Sequence, residues 1–288
     1  MMTSRPRWLP HPGWLLLIPA VALLGGILGV PLWQSFWRSI GSGDWTLEHY
    51  SALFTDGVTL KVLARTGQAA AVVTIVTLLL GYPYAYLMTR VGPLWRSVLV
   101  VMVLMPFWTS ALARNFGWLI LLYDNGLVQR FLGLFGFDDV VLYGTAQGVT
   151  LAMSQVLLPF MVLPLFSALG GIDRKLLLAA RSLGSPPLVA FWKVYFPLSR
   201  GGVVAGVILT FTLACGFYVT PALIGSPRES LIAQLLGQRT TQLLDFAGAG
   251  ALGTLVLVVT LVLVWWANRM GGSMATIGVV AGQTGTRR

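Results

Sequence analysis

The residues best spaced to form a functional site lie between positions 173 and 200, in a polar and basic stretch bounded by long apolar runs. Ala179-Ala180 is followed by Gly184, and further on by Val194 and Pro197. Alanine side chains would let another protein approach closely, with apolar neighbours for contact and Arg181 in a polar rim. This pattern indicates docking rather than bond making. The alternative is a basic amphipathic loop lying on anionic lipid.

Residues suited to catalysis are few and isolated. Cys215 is the single cysteine, and His11 and His49 are the two histidines. The sequence contains no histidine and cysteine cluster with metal-ligand spacing, no H-E-x-x-H and no G-x-S-x-G. It also lacks the phosphate-binding pattern G-x-x-x-x-G-K-[ST]. We therefore expect no catalytic residues, no bound metal and no cofactor in this chain, and any ATP and Mg²⁺ would be used by another subunit.

The elements that must position the docking stretch are membrane-spanning helices. Of 288 residues, 56% are hydrophobic and 10% are charged, whereas soluble domains carry about 25% charged residues. A helix crosses a bilayer in about 20 residues, and six apolar runs reach that length: 14–36, 67–88, 97–122, 146–169, 201–224 and 246–267. The sequence predicts an all-α integral membrane protein with an N-terminal segment 1–13, a membrane domain 14–268 containing the loop 170–200, and a tail 269–288.

Charge predicts the orientation of these spans. With the N-terminus inside the cell, the inner segments hold most of the 19 basic residues and a single acidic residue, Asp173. Basic residues near span ends are enriched on the cytoplasmic side. Both termini are therefore expected in the cytoplasm, and the net charge of +10 needs no nucleic acid to explain it.

The motif A-A-x3-G-x9-V-x-F-P resembles the cytoplasmic coupling loop, or EAA loop, of the membrane subunits of ABC importers. Residues 80–87, 106–110, 124–127, 158–165 and 218–225 extend the similarity. From about residue 14 to residue 268, the chain resembles the first permease subunit of spermidine/putrescine-type importers, which belong to the binding-protein-dependent type I class.

The resemblance implies a type I importer fold in the bacterial inner membrane. The implied partners are a second, homologous permease subunit, two ATP-binding subunits and an extracytoplasmic substrate-binding protein, with the cargo moved by ATP hydrolysis in the separate subunits. The residues implied to form the ATPase-coupling loop are Leu178, Ala179, Ala180, Arg181, Gly184, Val194 and Pro197. Residues 176–183 favour a short helix that Gly184 ends sharply. Val194 lies in a second short helix, 188–196, after which Pro197 is expected to begin the turn into the fifth span.

Two positions depart from the family pattern. Leu178 stands where the coupling loop usually has an acid, so an ion pair or a cap made by that acid is missing. Phe217 stands where polyamine-type relatives often have a carboxylate, and an aromatic ring offers a cation at most cation–π attraction.

Aromatic and hydroxyl groups on the third to fifth spans are candidates for the substrate path. Trp108, Thr109, Tyr218 and Thr220 would line a narrow cavity, with Arg114, Asp124 and Asn125 near its outer mouth. The alternative is that the aromatic rings pack between helices while the threonines bond back to their own helix. A polyamine-like cation is the favoured cargo, ahead of an aminophosphonate, an amino-acid-like solute or ferric iron. An ion-coupled carrier or a passive channel without an ATPase is the alternative function.

Overall fold

The computed structural model describes residues 13–40, 48–124, 126–137 and 140–282, and the regular elements of this part of the chain are helical. The predicted all-α fold class is confirmed. In chain order the α-helices are α1 (Gly13–Leu24), α2 (Val30–Ser39), α3 (Glu48–Thr55), α4 (Gly57–Arg90), α5 (Pro93–Trp108), α6 (Ala111–Leu122), α7 (Leu127–Gly133), α8 (Ala146–Gly170), α9 (Arg174–Ser182), α10 (Pro187–Ala190), α11 (Phe196–Cys215), α12 (Val219–Ile224), α13 (Ile232–Thr241) and α14 (Phe246–Gly282). π-Helical turns at Gly25–Gly29 and Phe191–Tyr195 join α1 to α2 and α10 to α11.

The chain divides into two compact units. One is made of Met1–Asp56 and Gln238–Leu257, and the other of Gly57–Gly237 and Val258–Arg288. In the second unit, α4, α8 and α11 pack against one another along their lengths. α8 is the central helix of this trio. In its most apolar stretch 56% of the residues are buried, against 33% in α4 and 28% in the helix that contains α11.

Glycines allow the three helices to approach closely around Met161 of α8. A Cβ built on Gly81 of α4 would lie 3.1 Å from Met161 Cγ, and one on Gly206 of α11 would lie 2.7 Å from Met161 Sδ. One turn before Gly206, a Cβ on Gly202 would lie 2.5 Å from Ala168 Cβ. The G-x-x-x-G spacing of α11 is a known device for close helix packing in membranes. Here it brings the backbone of α11 onto α8.

The first unit is held together by polar contacts near the ends of its helices. Arg239 lies 3.4 Å from a carboxylate oxygen of Asp56 and 3.8 Å from one of Asp245. Asp245 also caps α14, because its Oδ1 accepts a hydrogen bond from Gly248 N at 2.8 Å. α2 approaches α14 closely, since a Cβ on Gly250 would lie 2.5 Å from the carbonyl oxygen of Ser35.

Within the described residues, five helices are long and apolar enough to cross a membrane, and α5 with α6–α7 makes a sixth span if that bent pair is counted as one. The predicted span 146–169 matches α8 to within one residue, and the last predicted span starts at 246, as α14 does. By contrast, α4 begins ten residues before the predicted position 67. The charged residues Lys61 and Arg65 interrupt the apolar run of the sequence, but both lie inside α4. Arg65 offsets its charge by pairing with Glu229 at 3.7 Å.

Two predicted spans are wrong in form. The third, 97–122, is not one helix, because α5 ends at Trp108 and the chain bends by 98° into α6. The fifth, 201–224, is a helix that runs from Pro187 through the π-helical turn to Cys215 and then breaks before α12. The predicted tail from 269 begins inside α14, which continues to Gly282.

A matched pair of substitutions tests the glycine packing. Gly201→Ala and Gly202→Ala both replace a helical glycine, which gains about 1 kcal/mol of helix propensity, but only the second meets Ala168. Gly201 has nothing within 4 Å of its Cβ position. Overpacking should destabilise Gly202→Ala by about 1–3 kcal/mol relative to Gly201→Ala. We therefore expect Gly202→Ala to unfold at a lower temperature when both variants are heated in the same detergent. Equal melting temperatures would contradict the packing.

Candidate functional site

The predicted docking stretch folds as α9, a sharp reversal, and a helix that continues into α11. Asp173 caps α9, since its Oδ1 accepts a hydrogen bond from Lys175 N at 2.9 Å. A cap is therefore present although Leu178 is not an acid. The side chains of Leu178 and Arg181 lie outside the described residues, and only their positions in α9 are known.

Gly184 ends α9 as the sequence predicts. Its φ is +80°, in the left-handed region, and Ser185 N donates to the carbonyl oxygen of Ala180 at 3.1 Å. This bond is the long-range one of a Schellman motif, in which the glycine occupies the position after the helix end. Since nothing lies within 4 Å of a Cβ on Gly184, the requirement for glycine is conformational rather than steric.

An apolar face surrounds this reversal and is left exposed by the other residues that the structure describes. Leu183 is 88% exposed, Leu188 75% and Trp192 59%. Ala179 is exposed and Ala180 partly buried, so the small residues of the motif lie at the edge of the same segment. An exposed apolar cluster of this kind is typical of a surface that another protein or the membrane covers. We call residues 173–195 the coupling segment.

Aromatic rings fasten the coupling segment to α4. Tyr86 of α4 meets Tyr195 edge to face with centroids 5.4 Å apart, and it also contacts Phe191 at 6.2 Å. Tyr82 contacts Phe191 at 5.9 Å, and its hydroxyl lies 2.9 Å from Ser199 Oγ on α11. These contacts join the coupling segment directly to α4 and α11.

The predicted turn at Pro197 is wrong, because the helix does not stop there. Pro197 lies in the first turn of α11, directly after the π-helical turn, in which Phe196 N donates to the carbonyl oxygen of Phe191. Proline has no N–H to donate to Lys193 four residues earlier, so the chain takes the wider five-residue bond pattern instead. Val194 is partly buried within this π-helical turn.

The break between α5 and α6 uses two of the predicted path residues as caps. Thr109 Oγ1 donates to the carbonyl oxygen of Pro106 at 2.9 Å, and Arg114 Nη1 donates to the same oxygen. Both side chains therefore stabilise the end of α5. Among the described residues, Arg114 Nε is buried without a hydrogen-bond partner.

The remaining path residues are not brought to one lining. Trp108 is 71% exposed and Tyr218, at the start of α12, is 50% exposed, whereas Thr220 is 2% exposed. Asp124 lines an open cavity of about 580 Å³ together with Tyr123, Arg130 and apolar residues. Asn125 lies outside the described residues.

The structure does place two broken spans together. α6, which follows the break in the third span, packs against α12, which follows the break in the fifth. Discontinuous membrane helices commonly form solute sites, because their ends expose backbone groups. Sequence reasoning missed Asn115 of α6, which is 1% exposed and whose Oδ1 has no partner among the described residues. The sequence did contain a signal for this residue, since Arg114 and Asn115 are adjacent polar residues inside the apolar run 97–122.

Comparison with known proteins gives consistent results. Residues 72–272 match the family described as binding-protein-dependent transport system inner membrane component. The chain is 31% identical to the spermidine/putrescine transport system permease protein PotB of Escherichia coli (strain K12) over 266 residues, covering 90% of this chain and 95% of that protein. It is also 31% identical to PotB of Haemophilus influenzae over 230 residues, covering 78% and 80%.

One solved structure with the same fold is a bacterial ABC transporter involved in the import of the acidic polysaccharide alginate. The TM-score is 0.70 at 16% identity, and the match covers 91% of this chain and 95% of that one. At this identity the similarity concerns the fold alone.

The left-handed conformation of Gly184 is testable by substitution. Gly184→Ala must adopt that conformation at a cost of about 1–2 kcal/mol, whereas Asn visits it readily. We expect the amide hydrogens of Leu183 and Ser185 to exchange about 5–30-fold faster in Gly184→Ala, with a smaller change in Gly184→Asn. Hydrogen–deuterium exchange measures both variants, and equal protection in the two would contradict the motif.

Proposed function

The chain belongs to the family of binding-protein-dependent transport system inner membrane components, the permease subunits of ABC importers, and from this premise we propose that it moves a polyamine-like cation across the bacterial inner membrane. The cation would be delivered by an extracytoplasmic binding protein. Its transport would be driven by ATP hydrolysis in separate subunits, and this chain would carry out no catalysis.

The observation that carries the proposal is the coupling segment. It presents Leu183 and Leu188 outward next to a sharply ended helix, and its other side is fastened to α4 and α11 by Phe191 and Tyr195. A surface that is exposed on one side and fixed to the spans on the other suits an ATPase subunit that must push on the membrane bundle. The small side chains of Ala179 and Ala180 would let that subunit approach the backbone, with Arg181 next to them in the sequence.

The mechanism follows from these contacts. ATP binding would draw two ATPase subunits together and move the coupling segments of this chain and of a second, homologous permease. Because Tyr82, Tyr86 and Tyr195 are in ring contact with their neighbours across the helices, α4 and α11 would move with the segment. The bundle would then alternate between inward-open and outward-open arrangements while the cargo is released from the binding protein. Hydrolysis would reset the cycle.

The polyamine-like cargo is supported by the names of the relatives, which are spermidine/putrescine permeases. The fold does not set the charge of the cargo, since the alginate transporter with the same fold imports an acidic polysaccharide. Phe217 is partly buried against the apolar core of the second unit, so it offers no carboxylate to a cation. Aminophosphonates, amino-acid-like solutes and ferric iron are the alternative cargoes to be tested beside spermidine.

The broken spans are the best place for the cargo to pass. We assign the path to the place where α6 packs against α12. Trp108 and Asp124 lie just before and just after α6, and Tyr218 lies just before α12. Thr109 and Arg114 hold the bend beside this place. Thr220, being buried, would contact the cargo only after the bundle rearranges. We infer that the coupling segment and both termini lie in the cytoplasm. Basic residues near span ends are enriched on that side of the membrane, and Arg90, Arg96 and Arg200 lie near span ends.

Paired substitutions at the exposed leucines test the ATPase contact. Leu183→Asp with Leu188→Asp places charges in an apolar interface, where central contacts are worth at least about 2 kcal/mol. We expect the ATPase subunit to be lost from the purified complex and uptake of radiolabelled spermidine to fall to background. Leu243→Asp is the matched control, since Leu243 is 70% exposed but lies between α13 and α14.

Two outcomes would count against the proposal. If the wild-type chain purifies without any ATPase and still moves solute, an ion-coupled carrier or a channel is the better description. The other outcome is that the ATPase copurifies with the wild-type chain and is lost from the double variant while the wild type takes up no spermidine. In that case the coupling function holds and the cargo is one of the alternatives.

A further inference from the structure

A basic cleft lies where several helices of the second unit end. Its volume is about 130 Å³, and its lining includes Arg90 at the end of α4, Arg96 in the first turn of α5, Gly170 at the end of α8, and Tyr195 just before α11. The cleft therefore joins the α4–α5 connection to the two ends of the coupling segment. The function proposed above does not use it.

Both arginines of the cleft are held in place by the protein. Arg90 Nη2 donates to Tyr86 Oη at 2.6 Å, and its guanidinium lies 4.7 Å from the centroid of that ring. Arg96 Nε donates to the carbonyl oxygen of Met88 at 3.2 Å, and its guanidinium lies 5.9 Å from the Phe166 ring. Each guanidinium has five N–H donors, so these contacts fix the two planes and leave donors for a ligand.

No described carboxylate neutralises the charge of the cleft. Among the residues that the structure describes, neither Arg90 nor Arg96 makes an ion pair. Planar guanidinium groups match the oxygen geometry of phosphate, which they bind through paired hydrogen bonds. Two fixed guanidiniums without a carboxylate thus form a receptor for a phosphate-bearing anion.

The depth of the cleft indicates which phosphate it meets. The ends of α4, α5 and α8 converge there, and helix ends mark the boundary between the apolar layer and the headgroups. In the first turn of α5, Leu94 is 76% exposed and Trp95 66%. A tryptophan at a span end is typical of the headgroup level. Phe166 and Leu169 add an apolar wall to the cleft.

We propose that this cleft binds the phosphate group of an anionic phospholipid in the leaflet on the side of the coupling segment. The guanidiniums of Arg90 and Arg96 hold the phosphate, while the acyl chains lie in the bilayer beside α5. The bound headgroup bridges the α4–α5 connection to Gly170 and Tyr195. An anionic lipid thereby fastens the coupling segment to the membrane bundle in addition to the aromatic rings.

The test measures lipid binding to the full chain, purified in a mild detergent with any subunits that accompany it. Native mass spectrometry compares added dioleoylphosphatidylglycerol with dioleoylphosphatidylcholine. At about 1 kcal/mol for each basic residue near an anionic surface, Arg90→Gln with Arg96→Gln should reduce the preference for phosphatidylglycerol about thirtyfold. Arg200→Gln removes an exposed arginine from α11 outside the cleft and should lower the preference by no more than the roughly fivefold effect of one surface charge.

Further arms separate the explanations. Arg90→Lys with Arg96→Lys keeps both charges, so it should retain part of the preference even if the glutamine variant unfolds. Excess inorganic phosphate should not displace the lipid; if it does, the cleft is a site for soluble phosphate and the lipid assignment is wrong. A preference that survives in the glutamine variant, or that is lost equally in Arg200→Gln, would overturn the proposal. The measurement needs no nucleotide and no transported solute.

Discussion

The close packing of α4 and α11 on α8 around Met161 is the constraint on which the remaining structure depends. In lipid, helices gain nothing from leaving water together, so their association rests on van der Waals contact and hydrogen bonds. Gly81, Gly202 and Gly206 supply that contact by removing the side chains that would hold the backbones apart. The three helices then form a fixed frame, and both broken spans and the coupling segment are attached to it.

The attachments differ in kind at the two ends of the frame. At one end, rings from α4 and the π-helical turn make direct contacts, with Tyr82 and Ser199 adding a hydroxyl contact between α4 and α11. At the other end, Arg65 reaches Glu229, and Thr66 Oγ1 accepts a hydrogen bond from Ile232 N at 2.9 Å. Apolar ring contacts tolerate sliding better than directional hydrogen bonds do. The ring-bearing end can therefore shift while its side chains stay in contact, whereas the directional contacts at the other end hold one arrangement.

Hydropathy and helix signals predicted much of this fold, and particular residues explain where they failed. Residues 146–169 were located closely because no charge interrupts them, and Gly184 was placed correctly because its role is local. The bend after Trp108 was missed, since the bonds that stabilise it, from Thr109 and Arg114 to the carbonyl oxygen of Pro106, leave no signal in apolar periodicity. The predicted span began too late because Lys61 and Arg65 are charged. The partner of Arg65, Glu229, lies far away in the sequence, so hydropathy could not show that this charge is paired. The coupling surface was predictable as a motif, whereas its ring contacts with α4 required the tertiary structure.

The left-handed backbone at Gly184 has a consequence for how this protein can evolve. A glycine codon changes by one nucleotide to codons for Ala, Val, Ser, Cys, Arg, Trp, Asp or Glu. Of these, only Asp enters the left-handed region with any ease, and Asn lies more than one nucleotide change away. Nearly every point mutation that changes this residue therefore strains the end of α9, although no described atom lies within 4 Å of the new Cβ. Purifying selection at position 184 would act on a torsion angle rather than on a contact.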